Sequence, residues 1–276
     1  MTEFLKRELA RYGIELFGYV PMERCHISRP YKLGDLANTD MSRLGVIIMA
    51  IPYYAHADDL NISRYAAARD YHAFCDELWG DLIPKLEKKF APYKFRGFAD
   101  NSPIFERDAA ALAGLGVIGD NGMLITEKYS SYVFLAEIIT DHPIPVSDTY
   151  EIKHCDGCGK CRAACPMSEI GQCLSALTQK KGELTEDEQA GMIKYGSAWG
   201  CDICQDVCPH TVAAIESGSI YTPVKFFNEN LTPHLTVQAL DGMSDEEFRR
   251  RAYSWRGRKV IARNLELFEG KDHELH

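Results

Sequence analysis

The run CDGCGKCRAACP, residues 155–166, constrains this chain more than any other stretch. Cys155, Cys158, Cys161 and Cys165, followed by Pro166, give the spacing C-x2-C-x2-C-x3-C-P. The short gaps let three thiolates wrap one face of an iron–sulfur cubane. The longer step and the proline carry the fourth thiolate toward another cluster. Such a run demands a partner set, and one follows: Cys173, then Cys201, Cys204 and Cys208 with Pro209, in GCDICQDVCPH. Two [4Fe–4S] clusters are therefore expected. We assign Cys155, Cys158, Cys161 and Cys208 to one, and Cys165, Cys173, Cys201 and Cys204 to the other. The crossing ligands would make metal part of the fold. Zinc needs only two CxxC pairs. Disulfides do not suit closely packed thiols in a chain whose start lacks a secretory leader. Of the two remaining cysteines, Cys75 reads as a small core residue in a helical pattern. Cys25 sits near a loop, where a reactive thiol is the less favoured reading.

A small ferredoxin needs little more than this, yet the chain has 276 residues, 46% of them hydrophobic and 26% charged. That is room for one large or two modest globular domains. No 18-residue apolar stretch suggests a membrane span. MTEFLKRELARYG carries acidic residues and starts an amphipathic helix, so cytoplasmic residence is expected. The net charge of −9 lacks the overall basic footprint of nucleic-acid binders. One stretch departs from it: residues 249–263 hold seven basic residues in fifteen. A solvated helix face beside Asp245, Glu246 and Glu247 is the favoured reading, and a phosphate-contacting patch the alternative.

Residues 3–12 read as a helix and 14–20 as a strand stopped by Pro21. The continuous apolar run 44–54 reads as a buried central strand. Residues 63–90 keep a helical period, with Pro84 expected to kink or split the helix. A strand over 93–100, a helix after Pro103, and strands in NGMLIT and SYVFLAEIIT follow. After the cluster segment come helices from Ser244, with a capping-box start, and around 256–268. The order predicts an α/β or α+β fold: a mixed sheet flanked by helices, with a ferredoxin-like two-cluster domain. The expected blocks are a catalytic domain over 1–150, the cluster domain over 151–212 and a helical segment over 213–276 packing on the catalytic part.

GLGVIG, 114–119, matches G-x-G-x-x-G, but it follows a helix and leads into a strand, the reverse of a dinucleotide site. Its glycines still allow close backbone approach to a large ligand, with a helix C-cap at Gly114 as the plainer reading. Asp100 ends a strand in FADNSPIFER, where an enclosed carboxyl can hold and donate a proton. Arg64, Arg69, Asp70, Tyr71 and His72 crowd SRYAAARDYHAF, suited to an anionic or amide-rich ligand or to a surface ion-pair network.

Together, SRYAAARDYHAF, ADNSPIFERDAAALAGLGVIGDNGMLI, SYVFLAEIITD, the cysteine run, CLSALTQKKGEL and WGCDICQDVCPH resemble the epoxyqueuosine reductase family, in the family's order. RRRAYSWRGRKVIARNLEL resembles the segment that closes the family's catalytic part. The resemblance implies two [4Fe–4S] clusters, base-off cobalamin, and reduction of the epoxide of epoxyqueuosine in transfer RNA. It also implies a corrinoid-binding fold like that of reductive dehalogenases. Base-off binding agrees with the lack of a D-x-H-x-x-G run. Asp100 matches the family's proton donor. Arg64, Tyr71, His72, Ser102, Arg107, Gly116, Gly119 and Asn121 are expected to line the cofactor site. The partners implied are a transfer-RNA anticodon stem-loop and an external low-potential donor of flavodoxin or ferredoxin type. Three departures stand out. The chain ends at His276 without the family's C-terminal helical repeat, the stretch between Cys165 and Cys173 is short, and Asp120 stands where a lysine is expected. The missing repeat and the net charge of −9 favour, as an alternative, the same machinery acting on a small molecule; an electron carrier without cobalamin is a separate alternative.

Overall fold

The run LGVIIMAIPYY does what its composition dictates. Gly45–Pro52 forms strand β2, buried along its whole length, as suits isoleucine-rich chain with a neighbour on every side. The computed structural model describes residues 1–167 and 172–269. Around β2 lie β1 (Leu16–Pro21), β3 (Phe95–Ala99) and β6 (Val133–Thr140), in the order β1-β2-β6-β3. Every pairing in this sheet is antiparallel, so the expected mixed sheet is corrected to an antiparallel one. A separate short ribbon joins β4 (Val117–Ile118) to β5 (Leu124–Ile125). NGMLIT therefore pairs backward onto the glycine run, while SYVFLAEIIT joins the sheet.

By contacts the chain divides into two units, each assembled from three segments. The first comprises 1–53, 71–158 and 210–225; the second comprises 54–70, 159–209 and 226–276. These units do not follow the sequence blocks expected at 150 and 212. In the first unit, helix Glu106–Leu112 lays Ala109, Ala110 and Ala111 against the sheet face formed by Val46, Ile48, Ala50, Val133 and Ile139. Alanines suit this position because a helix can then approach the strands closely. Helix Tyr71–Lys89 covers the other face, where Trp79 lies over Gly97 so tightly that a Cβ there would meet the ring at 2.4 Å.

Pro84 neither splits nor ends that helix. The break comes earlier: helix Arg64–Ala67 stops at Ala68, whose backbone is extended. SRYAAARDYHAF is thus not one helix, and its first half belongs to the second unit.

Among its described residues the second unit has two apolar clusters. One gathers Ile62, Trp199, Leu240, Tyr253 and Ile261; the other gathers Met167, Leu174, Leu177 and Met192. Buried Asn264, on helix Arg258–Glu269, ties the unit's strands of chain together. Its Nδ2 donates to Thr178 O at 2.7 Å and to Ala198 O at 2.8 Å. The Ser244 start does form a capping box with Glu247. Among the described residues, no helix is long and apolar enough to cross a membrane.

Candidate active site and cluster cysteines

The cysteines sit on loops shaped for wrapping. Segment 153–155 runs beside β4, with Cys155 N–H donating to Ile118 O at 3.0 Å. Gly157 and Gly159 flank Cys158 with φ of +67° and +73°. Only glycine enters that left-handed region freely, which explains the DGCGKC pattern. In the second unit, which holds six of the eight cysteines, Cys204 feels Cys201, Cys173, Cys165 and Cys161. Burial, then the neighbouring groups, pushes the Cys201 thiol up to about 11 and the Cys204 thiol up to about 12. Iron would release those protons, since a coordinating thiol ionises. Among the described residues no three His, Cys, Asp or Glu side chains converge as one metal ion would need; a cubane sets its ligands farther apart. Residues 168–171, inside the short stretch between Cys165 and Cys173, lie outside the described residues.

Arg64 supports this region structurally. Its backbone N–H donates to Asp202 Oδ2 at 2.7 Å, and Ser63 Oγ donates to Asp202 Oδ1 at 2.5 Å. Its guanidinium lies 4.1 Å from the Tyr54 ring centre. The expected grouping of Arg64 with Tyr71 and His72 on one helix is therefore corrected: the helix breaks between them.

In the first unit, Tyr71, His72 and Asp100 do come together. Tyr71 stacks on Phe134 at 4.1 Å and on His72 at 4.2 Å. His72 Nε2 lies 3.8 Å from Asp100 Oδ2. Asp100 is not enclosed, as had been expected, for its side chain is 70% exposed. The His72 imidazole, helped by Arg29 and Lys32, holds its carboxyl below the usual range. In the free chain it is ionised.

Ser102 is also corrected. It is fully buried, and its hydroxyl donates to Glu137 Oε1 inside the core. Glu137 is the functional-site residue that the sequence reading missed, together with its partner Glu106. Glu106 Oε1 accepts the Asp100 N–H at 2.9 Å, and its carboxyl faces that of Glu137. Burial first, then Glu106, pushes Glu137 well above the carboxylate range. Burial pushes Glu106 up to about 7. A signal was present. Val133, Leu135 and Ile139 share the face of β6 that carries Glu137, and a lone carboxyl at an apolar register position needs a partner.

The glycine run divides by role. Gly114 has φ +77° and closes helix Glu106–Leu112, with Leu115 N–H donating to Ala110 O, so the C-cap reading holds. Gly116 and Gly119 are packing residues: a Cβ on Gly116 would lie 2.3 Å from Ile125 O, and one on Gly119 would lie 2.5 Å from Asn121 Oδ1. Gly116→Ala should cost about 1–3 kcal/mol, read as a lowered melting temperature with the β4–β5 ribbon loosened. Arg107 Nη1 donates to Gly122 O at 2.8 Å, and Asn121 Oδ1 accepts the Met123 N–H at 3.1 Å. Both fix the loop. Burial pushes the Cys25 thiol up to about 12, which disfavours its thiolate form.

Gly114 has open space where a Cβ would stand. With Gly116, Leu16, Phe17, Thr149 and Tyr150 it lines a cavity of about 1300 Å³ within the first unit. That exceeds the roughly 300–1,000 Å³ usual for small-molecule sites. Asp100, Tyr71, His72, Arg107 and Asn121 are not in its wall.

Residues 152–168 and 195–221 match the 4Fe-4S binding domain family. The chain is 33% identical over 171 residues to an epoxyqueuosine reductase of Pseudomonas aeruginosa, covering 59% of this chain and 45% of that one. Against the epoxyqueuosine reductase of Leadbetterella byssophila it is 32% identical over 235 residues, covering 79% of this chain and 72% of the relative. A crystal structure of epoxyqueuosine reductase with an epoxyqueuosine-modified tRNA-Tyr stem loop shares the fold at a TM-score of 0.71 and 25% identity. It covers 97% of this chain and 81% of that one. The matches to the Pseudomonas aeruginosa and Cyclobacterium marinum relatives span about half of those proteins' length, 45% and 51%. With identity of this degree sustained across most of the Leadbetterella enzyme, this chain belongs to the epoxyqueuosine reductase family.

Proposed function

We propose that the protein reduces the epoxide of epoxyqueuosine in a transfer-RNA anticodon stem-loop. Its eight paired-set cysteines would hold two [4Fe–4S] clusters, and base-off cobalamin would be its reducing cofactor. The observation that carries this is the fold shared over 97% of the chain with a reductase solved on its modified stem loop. The reaction consumes two electrons and two protons and yields an alkene and water. The electrons come from an external low-potential donor of flavodoxin or ferredoxin type. When bound, cobalamin would supply a strongly reducing metal centre, and the clusters would supply single electrons.

The chain's own residues do the rest. Asp100 delivers a proton to the departing epoxide oxygen. A ligand covering its exposed carboxyl adds the desolvation that the free chain lacks, and so raises its affinity for that proton. His72 stands beside it to balance the charge left behind. Arg107 holds the Gly119–Gly122 turn by its carbonyl, keeping the bare loop fixed.

A second reading, the same chemistry on a small molecule, is favoured by how the basic run is used. Arg251, Arg258 and Arg263 donate to backbone carbonyls of their own unit, which leaves fewer cations for phosphates. Trp255, 59% exposed with Arg256 stacked at 3.8 Å, points the other way, as a base-stacking platform. The test is anaerobic. Protein with reconstituted clusters and cobalamin is given reduced donor and an epoxyqueuosine-bearing stem-loop. Loss of one oxygen from the nucleoside by mass spectrometry is expected. Iron and cobalt bound, yet no affinity for the stem-loop at low salt, would replace the transfer-RNA reading with the small-molecule one.

A further inference from the structure

Behind Asp100 runs a chain of hydrogen bonds into the core. Ile104 N–H donates to Ser102 Oγ at 3.1 Å, and Ser102 Oγ donates to Glu137 Oε1. Glu137 meets Glu106, and Glu106 Oε1 takes the Asp100 N–H at 2.9 Å. Glu137 is 0% exposed, opposite Ile48 on β2 and Phe98 on β3. Among the described residues nothing donates to its buried Oε2. As a carboxylate that oxygen would be stranded in hydrocarbon, at considerable cost. As an acid it could donate to the Glu106 carboxyl that it interacts with, which would complete the chain.

Asp100 needs that anchor. Its φ is +60°, a conformation costly for a residue with a Cβ. The turn around it is tight: Asn101 N–H reaches Ala99 O at 2.7 Å, and Ser102 N–H reaches Asp100 O at 2.9 Å. The Glu106 oxygen is the side-chain acceptor that holds the Asp100 amide in this turn. The groups facing the pair do not compete for its proton. Cys25, beside Glu137, stays a neutral thiol. Asp100 pushes Glu106 up and His72 draws it down, while Arg29 and Lys32 act on Asp100.

We infer that Glu106 is a positioning residue for Asp100, and that the single proton it shares with Glu137 is the latch. With one proton on the pair, a Glu106 carboxylate oxygen is free to hold the Asp100 amide. When the proton leaves to solvent, two carboxylates face each other across a buried contact, one must turn away, and the Asp100 turn is released. The consequence for turnover rests on the reading of Asp100 as proton donor; the latch itself does not.

The experiment is hydrogen exchange of the segment 99–105 in cluster-loaded protein, corrected for intrinsic rate, from about pH 6 to about pH 9. Wild type should lose protection at the Asp100 amide as the pair deprotonates. Glu137→Gln should keep it throughout, because an amide N–H permanently replaces the shared proton while its oxygen still accepts from Ser102. Glu106→Ala should lack protection at every pH, and its kcat should fall about tenfold or more with KM little changed. Since both glutamates bind a proton more tightly folded than unfolded, they favour folding at low pH. That support is lost as pH rises from 4.5 through about 7 and beyond. Glu137→Gln should therefore show the smaller fall in melting temperature over that range.

Equal, pH-independent protection in wild type and Glu137→Gln overturns the latch. So does protection that survives in Glu106→Ala. Turnover is scored separately: its alkaline limb should move up by about one pH unit or more in Glu137→Gln. Absence of any epoxide reduction, with the exchange pattern intact, would remove the proposed reaction and leave the latch standing.

Discussion

Cys204→Ala is expected to halve the iron and sulfide of the anaerobically reconstituted protein, from about eight irons per chain to about four. Cys204 lies amid Cys201, Cys173, Cys165 and Cys161, in the unit where, among the described residues, a cluster of Met167, Leu174, Leu177, Leu184 and Met192 is buried. Such a cluster is slender, and metal binding there is folding free energy. The variant should therefore also gain protease-sensitive sites between 172 and 200. Cys75→Ala is the control. Cys75 is 2% exposed in helix Tyr71–Lys89, so its loss costs a little packing and no iron. Full iron in the Cys204 variant would take that thiol out of the ligand set. Full iron after alanine replacement of Cys201 as well would sink the two-cluster reading.

Ligand spacing was legible because it is chemistry written in the chain: a cubane accepts few loop lengths, and left-handed glycines at 157 and 159 serve them. The buried run of β2 was legible because a strand covered on both faces must be apolar throughout. Other features depended on tertiary partners. No glycine or proline marks the break at Ala68. The residues before it are held instead by Asp202 and Trp199, over a hundred positions away: Ser63 N–H donates to Trp199 O at 2.7 Å. Pro84 reads as a helix breaker, yet helix Tyr71–Lys89 runs through it. Ser102 beside Asp100 reads as a ligand group, but its hydroxyl points inward because Glu137 needs a donor there. Glu106 reads as an ordinary first-turn acid. Its role emerges only when β6 brings Glu137 against it.

Asp100→Asn should keep the fold, the iron content and the affinity for the stem-loop, while turnover falls about 100-fold or more, within the range of a lost general acid. Asparagine suits the test because it tolerates the left-handed backbone that Asp100 occupies at φ +60°. Its N–H can still reach Glu106, so the turn is preserved and only the acid is removed. The free-chain geometry sharpens the expectation. With its side chain 70% exposed and His72 at 3.8 Å, Asp100 is ionised before substrate arrives. The proton must then be taken up as the site is covered, and turnover should require more acidic conditions when that covering is weakened. His72→Gln separates the two contributions. Without the imidazole, the carboxyl binds its proton more readily, so the pH at which turnover is half-maximal should rise. Asp100→Asn has no such titration to move. Undiminished turnover in Asp100→Asn would mean that the departing oxygen takes its proton from another donor. His72 and Glu106 would then be the candidates, as titratable side chains in contact with the same turn.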